Sequence, residues 1–198
     1  MKEGSRRIIL GSGSPRRREL LAGLDLEFTV DKENTFEEFT DPDMAPEQVP
    51  VTMAEGKSRG FHRSLEDDEI LITADTVVII DGKVLGKPHG RQDAVDMLGT
   101  LSGKTHEVVT AVTIRDNRKK VTFSDSTLVT FKSLTDREIE FYVDKYVPFD
   151  KAGSYGVQEW IGFVAIERLE GSFYNVMGFP THRVYAELEK FLQNNCNK

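Results

Sequence analysis

Residues 8–22 read Ile8-Ile9-Leu10-Gly11-Ser12-Gly13-Ser14-Pro15-Arg16-Arg17-Arg18-Glu19-Leu20-Leu21-Ala22, and the rest of the chain can be organised around them. Ile8 to Leu10 is a short apolar run of the kind that forms a buried strand. Gly11-Ser12-Gly13 follows, where glycine lets the backbone turn and approach a ligand closely. Ser14 is a good N-cap and Pro15 suits the first helical position, so the spacing predicts a helix from Pro15. Leu20, Leu21 and Leu24 would give that helix its apolar stripe.

Arg16, Arg17 and Arg18 run against this pattern. A helix start favours acidic residues, because its unpaired N–H groups and its dipole present positive charge. Three arginines in the first turn repel one another and oppose the dipole. An anion docked at this strand–turn–helix junction would relieve both problems; a solvated basic turn paired with surface acids is the plainer alternative. No Gly-Lys-Ser/Thr follows the glycines, so this is not a P-loop. Gly-x-Gly-x-x-Gly is absent too, which leaves a dinucleotide fold without support.

The remaining composition narrows the class of partner. At 198 residues the chain is long enough to bury a sizeable core as one domain or two small lobes. A net charge of −7 argues against a nucleic-acid polymer as ligand, which wants a basic face. A local basic cluster on an acidic background suits a small polyanion instead. The single cysteine, Cys196, cannot form a disulfide within the chain, in keeping with a reducing cytoplasm. No apolar run approaches a membrane span. The expectation is a cytoplasmic protein with no membrane partner.

The longest strand signal is Glu69-Ile-Leu-Ile-Thr-Ala-Asp-Thr-Val-Val-Ile-Ile80, apolar on both alternating faces like a strand covered on both sides. Asp75 interrupts it. A buried, unpaired carboxylate is costly, so either the strand breaks at Asp75 or a cation sits beside it. Both outcomes suit a catalytic or metal-binding carboxylate, while a structural Asp at a bulge is the alternative. Upstream, residues 31–50 are acidic and broken by Pro42, Pro46 and Pro50, with Glu37 and Glu38 between Phe36 and Phe39. Residues 46–64 are predicted as a helix with Met53, Lys57 and Phe61 on one face; Lys57 is either an inward cation or a snorkelling surface lysine.

Downstream, Asp81-Gly82 predicts a tight turn, and Lys87 precedes the rigid Pro88. Residues 91–101 read as an amphipathic helix, and 105–116 with 119–131 as a hairpin. His106 reads as a hydrogen-bonded structural residue with a phosphate contact as the alternative. Thr135 should cap a helix to about Tyr146. The polar loop 150–158 ends in Gln158, whose amide both donates and accepts, as the edge of a nucleobase requires. Residues 161–169 are expected as a strand, 171–175 as a turn, and a last helix should bury Val184, Leu188 and Phe191.

Six blocks together resemble the Maf family of nucleoside triphosphate pyrophosphatases. They are Ser12-Gly-Ser-Pro-Arg-Arg17, Ala74-Asp-Thr-Val-Val78, Leu85-Gly-Lys-Pro88, Leu101-Ser-Gly-Lys-Thr-His106, Asp150-Lys-Ala-Gly-Ser-Tyr-Gly-Val-Gln158 and Gly171-Ser-Phe-Tyr-Asn-Val-Met-Gly-Phe-Pro180. They occur in the family's order and span nearly the whole chain.

The resemblance implies an α/β fold with a mixed twisted sheet and flanking helices, two lobes around a deep cleft, related to inosine triphosphate pyrophosphatases. It also implies hydrolysis of a nucleoside triphosphate to the monophosphate and pyrophosphate with a divalent metal, Mg2+ or Mn2+, and a homodimer. Tyr155-Gly-Val-Gln158 is similar to the branch acting on dTTP and UTP. Modified or purine nucleotides, and a nucleotide-binding regulator of cell division, are the alternatives.

By the same resemblance Asp75 is the proton acceptor and shares the metal with Glu37 or Glu38, of which Glu38 is favoured. Ser12, Ser14, Arg16, Arg17, Lys57 and Lys87 would hold phosphate oxygens, and Thr76 and Gln158, with Arg16, would select the base. Gly11 and Ser58 stand where many relatives have alanine.

Overall fold

The computed structural model describes residues 6–39, 41 and 43–193; Pro42 and Cys196 lie outside them. The chain opens with strand β1, Arg7–Leu10, whose Ile8, Ile9 and Leu10 are buried. Helix α1, Pro15–Ala22, starts as the residues dictate: Ser14 is extended and its hydroxyl accepts from the Arg17 N–H. It stops earlier than the leucine spacing suggests. The Gly23 N–H closes the last turn on Glu19, so Leu24 falls beyond the helix and only Leu20 and Leu21 form its buried face. Strand β2, Phe28–Val30, pairs in parallel with β1.

A 3₁₀ turn at Pro46–Gln48 leads into helix α2, Val49–Arg59, shorter than the predicted 46–64. Gly60 ends it, and the Gly60 carbonyl is taken by the Thr35 N–H at 2.8 Å and the Thr35 hydroxyl at 3.1 Å. Phe61 therefore lies outside the helix, bridged to Asn34, and packs with Ile9, Leu65 and Leu71 rather than in line with Met53 and Lys57.

Strand β3, Glu69–Ile80, runs unbroken through Asp75 and pairs in parallel with β1. Asp81 and Gly82, both with positive φ (50° and 72°), turn the chain into antiparallel β4, Lys83–Leu85. Helix α3 is Arg91–Leu101; strands β5, Thr105–Arg115, and β6, Lys120–Phe131, follow. Their turn is fastened by the Asp116 carboxylate, which accepts from the Arg118 and Lys119 N–H groups at 2.8 Å each. Helix α4, Asp136–Tyr146, begins with a full capping box between Thr135 and Glu138.

The segment expected as a strand over 161–169 divides. Helix α5, Trp160–Ala165, takes its first half and strand β7, Ile166–Glu170, its second, antiparallel to β6. A short apolar run cannot by itself separate helix from strand. In the helix that forms, Gly162 sits where a side chain would overlap the Val157 carbonyl. The expected turn at 171–175 is likewise mostly a short helix, α6, Phe173–Val176, capped by Ser172. Helix α7, Thr181–Gln193, buries Val184, Leu188 and Phe191 as its spacing predicts.

Among the described residues seven strands form one mixed sheet in the order β2-β1-β3-β5-β6-β7, with β4 on β3. The chain divides into two compact units. One holds residues up to 75, 110–124 and from 178; its core includes Leu10, Leu21, Leu71, Ile72 and the inner face of α7. The other holds 76–109 and 125–177, with Val78, Leu98, Leu101, Phe131, Tyr142 and Ile161 in its core.

Candidate active site

In the first unit the carboxylate on β3 meets a cation. Lys57, in the last turn of α2, places Nζ 2.7 Å from Asp75 Oδ1. The same Nζ lies 2.7 Å from Glu38 Oε1. Of the two outcomes the sequence left open at Asp75, the unbroken strand with an adjacent cation is the one observed. Lys57 and Asp75 are largely covered, with 21% and 16% of their side-chain surface exposed, whereas Glu38 is 59% exposed. The inner pair is thus poorly screened by water, and the outer carboxylate reaches it from a loop.

The approach of that loop is built by packing. Two glycines one helical turn apart, Gly56 and Gly60, leave room on α2 for the Phe36 ring; a Cβ on Gly56 would overlap it. Asn34 fixes the backbone on either side, donating to the Lys57 carbonyl at 2.6 Å and accepting from the Phe36 N–H at 2.8 Å. Behind Lys57, Arg115 donates to the carbonyl and hydroxyl of buried Ser58.

The arginine-rich turn joins this group through Arg17. Its Nε donates to the Gly178 carbonyl and its Nη1 to the Ala74 carbonyl, each at 2.9 Å, the latter beside Asp75. Burial pushes the Arg17 guanidinium below its ordinary range; Asp75 and Glu38 pull it back up, and neighbouring Arg16 adds to the lowering. Ser12 Oγ accepts from the Ser14 N–H at 3.3 Å and from Arg17 Nη1 at 3.4 Å, shaping the glycine turn. Arg18 is exposed.

Ser12, Ser14, Arg17, Glu38, Lys57 and Asp75 thus gather in one unit, with Arg16 electrostatically coupled to Arg17. Thr76, Lys87 and Gln158 belong to the other unit. Thr76 follows Asp75 along β3 and is half-buried, and Lys87 is exposed. Gln158 is half-buried, and its Oε1 is buried without a hydrogen-bond partner. His106 is structural: it meets the Tyr155 hydroxyl at 2.7 Å, and burial lowers its pKa to about 4. The sequence reading missed Phe36, Asn34 and Gly56 as positioning groups. The Gly56–Gly60 spacing carried a signal for them, whereas the carbonyls that orient Arg17 have none.

The family model described as Maf-like protein matches residues 7–191. The chain belongs to the Maf family. A Maf relative from Porphyromonas gingivalis (strain ATCC 33277), named dTTP/UTP pyrophosphatase, is 51% identical over 96% of this chain and 96% of its own. One from Phocaeicola vulgatus with the same name is 47% identical over 93% and 95%. Among solved structures, a HAM1 protein from Coxiella burnetii aligns over 93% of this chain and 99% of its own at 12% identity, with a TM-score of 0.48, too distant to add to the argument. Within this Maf chain the turn 12–17 and Asp75, which lie in the quoted motifs, belong to the first unit together with Lys57, which lies in none of them.

Among the described residues no three His, Cys, Asp or Glu side chains converge as a metal cluster. Asp75 and Glu38 do converge on one cationic atom. Two carboxylate oxygens around a single positive charge match what Mg2+ or Mn2+ takes from a protein when substrate phosphates and water complete the shell. The donor set fits such an ion.

Proposed function

We propose that the chain hydrolyses dTTP and UTP to the nucleoside monophosphate and pyrophosphate. The observation that carries the reading is the pairing of Asp75 with Lys57 beside the Arg17 guanidinium, in a chain about half identical to relatives bearing that activity in their name. Asp75 holds the role of base. Its carboxylate takes the proton of a water whose oxygen bonds to the α-phosphorus, and the bond from that phosphorus to the bridging oxygen breaks. The electron pair leaves with pyrophosphate. Lys57, Arg16 and Arg17 stabilise the charge that grows on the phosphate oxygens. Asp75 and Glu38 would hold a divalent ion, which supplies neutralisation of the triphosphate when bound. Lys87 would add a further phosphate contact, and Thr76 and Gln158 would select the base.

The test is release of pyrophosphate from the full set of nucleoside triphosphates with Mg2+ and with Mn2+. dTTP and UTP should each yield one monophosphate and one pyrophosphate. Asp75→Asn should lower turnover by roughly 10²- to 10⁴-fold while nucleotide binding persists. Undiminished turnover in that variant removes the base assignment, and release of single phosphates removes the reaction.

A further inference from the structure

The second unit contains a polar network that the proposed reaction does not use. The Tyr142 hydroxyl on α4 donates to Glu159 Oε2 and accepts from the Gly156 N–H at 3.0 Å. Glu159 Oε1 lies 3.1 Å from Lys151 Nζ, which also meets Asp150 at 2.8 Å. Tyr142 and Lys151 are buried, and the Glu159 side chain is 20% exposed. The Glu159 N–H bonds the Gly156 carbonyl at 3.0 Å, closing a tight turn around Gln158.

Gly156 shows what that turn holds. A Cβ there would stand 2.9 Å from Glu159 Cδ, 3.1 Å from Glu159 Oε2 and 3.1 Å from Gln158 Nε2. The Glu159 carboxylate and the Gln158 amide nitrogen therefore lie against the same bare face of Gly156, leaving Gln158 Oε1 buried and unpartnered. A buried carbonyl oxygen without a donor is costly and turns away unless its surroundings hold it.

We infer that Glu159, acting through Tyr142 and the Gly156 backbone, is a positioning residue that holds the Gln158 amide with its oxygen as an obligatory acceptor for the imide N–H of a uracil or thymine base. The inference rests on the proposed pyrophosphatase reading and on Gln158 as base reader. Uracil presents a donor at N3 flanked by carbonyls, the complement of an amide held in one orientation. Cytosine has the same ring size but offers an acceptor at N3, which would face the buried oxygen and leave both unpaired. Discrimination against it is of the kind that unsatisfied polar groups supply.

The experiment compares kcat and KM for UTP and CTP in the wild-type chain, Gln158→Ala, Glu159→Ala, Glu159→Gln and Tyr142→Phe. Glu159→Ala should compress the UTP:CTP ratio of kcat/KM about tenfold, through KM for UTP with kcat nearly kept, the size expected of one lost hydrogen bond. Glu159→Gln, which retains an acceptor for Tyr142, should restore most of it. Equal losses on both nucleotides would mark Glu159 as merely structural and overturn the inference. So would an unchanged ratio in Glu159→Ala and Tyr142→Phe while Gln158→Ala erases it. If Gln158→Ala leaves the ratio intact, the base-reading assignment fails and takes the inference with it. No pyrophosphate from UTP in the wild type overturns the reaction beneath both. Should Glu159→Ala lose its circular dichroism, Tyr142→Phe, which removes one hydroxyl and keeps the ring, decides by the same ratio.

Discussion

Arg17 is committed to the fold before any substrate arrives. Its Nε and Nη1 reach two carbonyls from distant segments, Gly178 and Ala74, with the planar fork that lysine lacks. Arg17→Lys keeps the charge and loses that bridge, so chemical denaturation should show a loss of about 1–3 kcal/mol, along with reduced turnover. His106 makes a different prediction. Burial lowers its pKa to about 4 from the 6.5 of an exposed imidazole, so it stays neutral in the fold where the unfolded chain would bind a proton. Its contribution is complete above about pH 6.5 and is lost as pH falls toward 4, at up to about 1.4 kcal/mol per pH unit. Glu55, Glu69 and Asp116, held below the usual carboxylate range, lose stability over the acid range too. The difference between wild type and His106→Gln in urea melts across this range isolates the imidazole: the variant's slope should be shallower by close to one proton.

At the scale of the element, α2 does two jobs. Its last turn carries Lys57, and its Gly56–Gly60 notch receives Phe36 and with it the loop bearing Glu38. Gly56→Ala would ordinarily strengthen a helix, by removing backbone freedom from the unfolded chain. In this notch the added methyl must displace an aromatic ring, and the overlap wins. The variant should lose about 1–3 kcal/mol in thermal or chemical denaturation. The half-saturating Mn2+ concentration in the pyrophosphate assay should rise, because Glu38 no longer approaches Lys57 from an ordered loop. Normal stability with normal metal dependence would show that the Gly56–Gly60 notch does not position the loop bearing Glu38. The strand β3 was legible because Ile, Val and Thr, which favour strands, dominate its residues and Asp81-Gly82 closes it with a turn. The end of α2 was not, because Phe61 keeps the helical spacing that Gly60 interrupts.

Over the whole molecule the two units are threaded through each other in sequence. The chain passes between them after residues 75, 109, 124 and 177, three of these passages lying inside β3, β5 and β6. Neither unit is a continuous segment that could fold before the other is made. Urea unfolding should therefore be one transition, with Trp160 fluorescence, which reports the second unit, coincident with far-ultraviolet circular dichroism; separated midpoints would show independent units. The sequence alone determined the periodic elements, the cap at Ser14, the strand signal on either side of Asp75 and the motif order that marks a Maf chain; that the strand runs on through Asp75 was decided by the fold. Those are local properties, written in spacing and in turn chemistry that neighbouring residues enforce. Tertiary structure decided that Glu38 rather than Glu37 meets Lys57, that backbone carbonyls hold Arg17, and that residues 160–165 coil instead of extending. Each of these depends on which distant surface a side chain or carbonyl finishes against, and periodicity fixes the face of an element without fixing its neighbour.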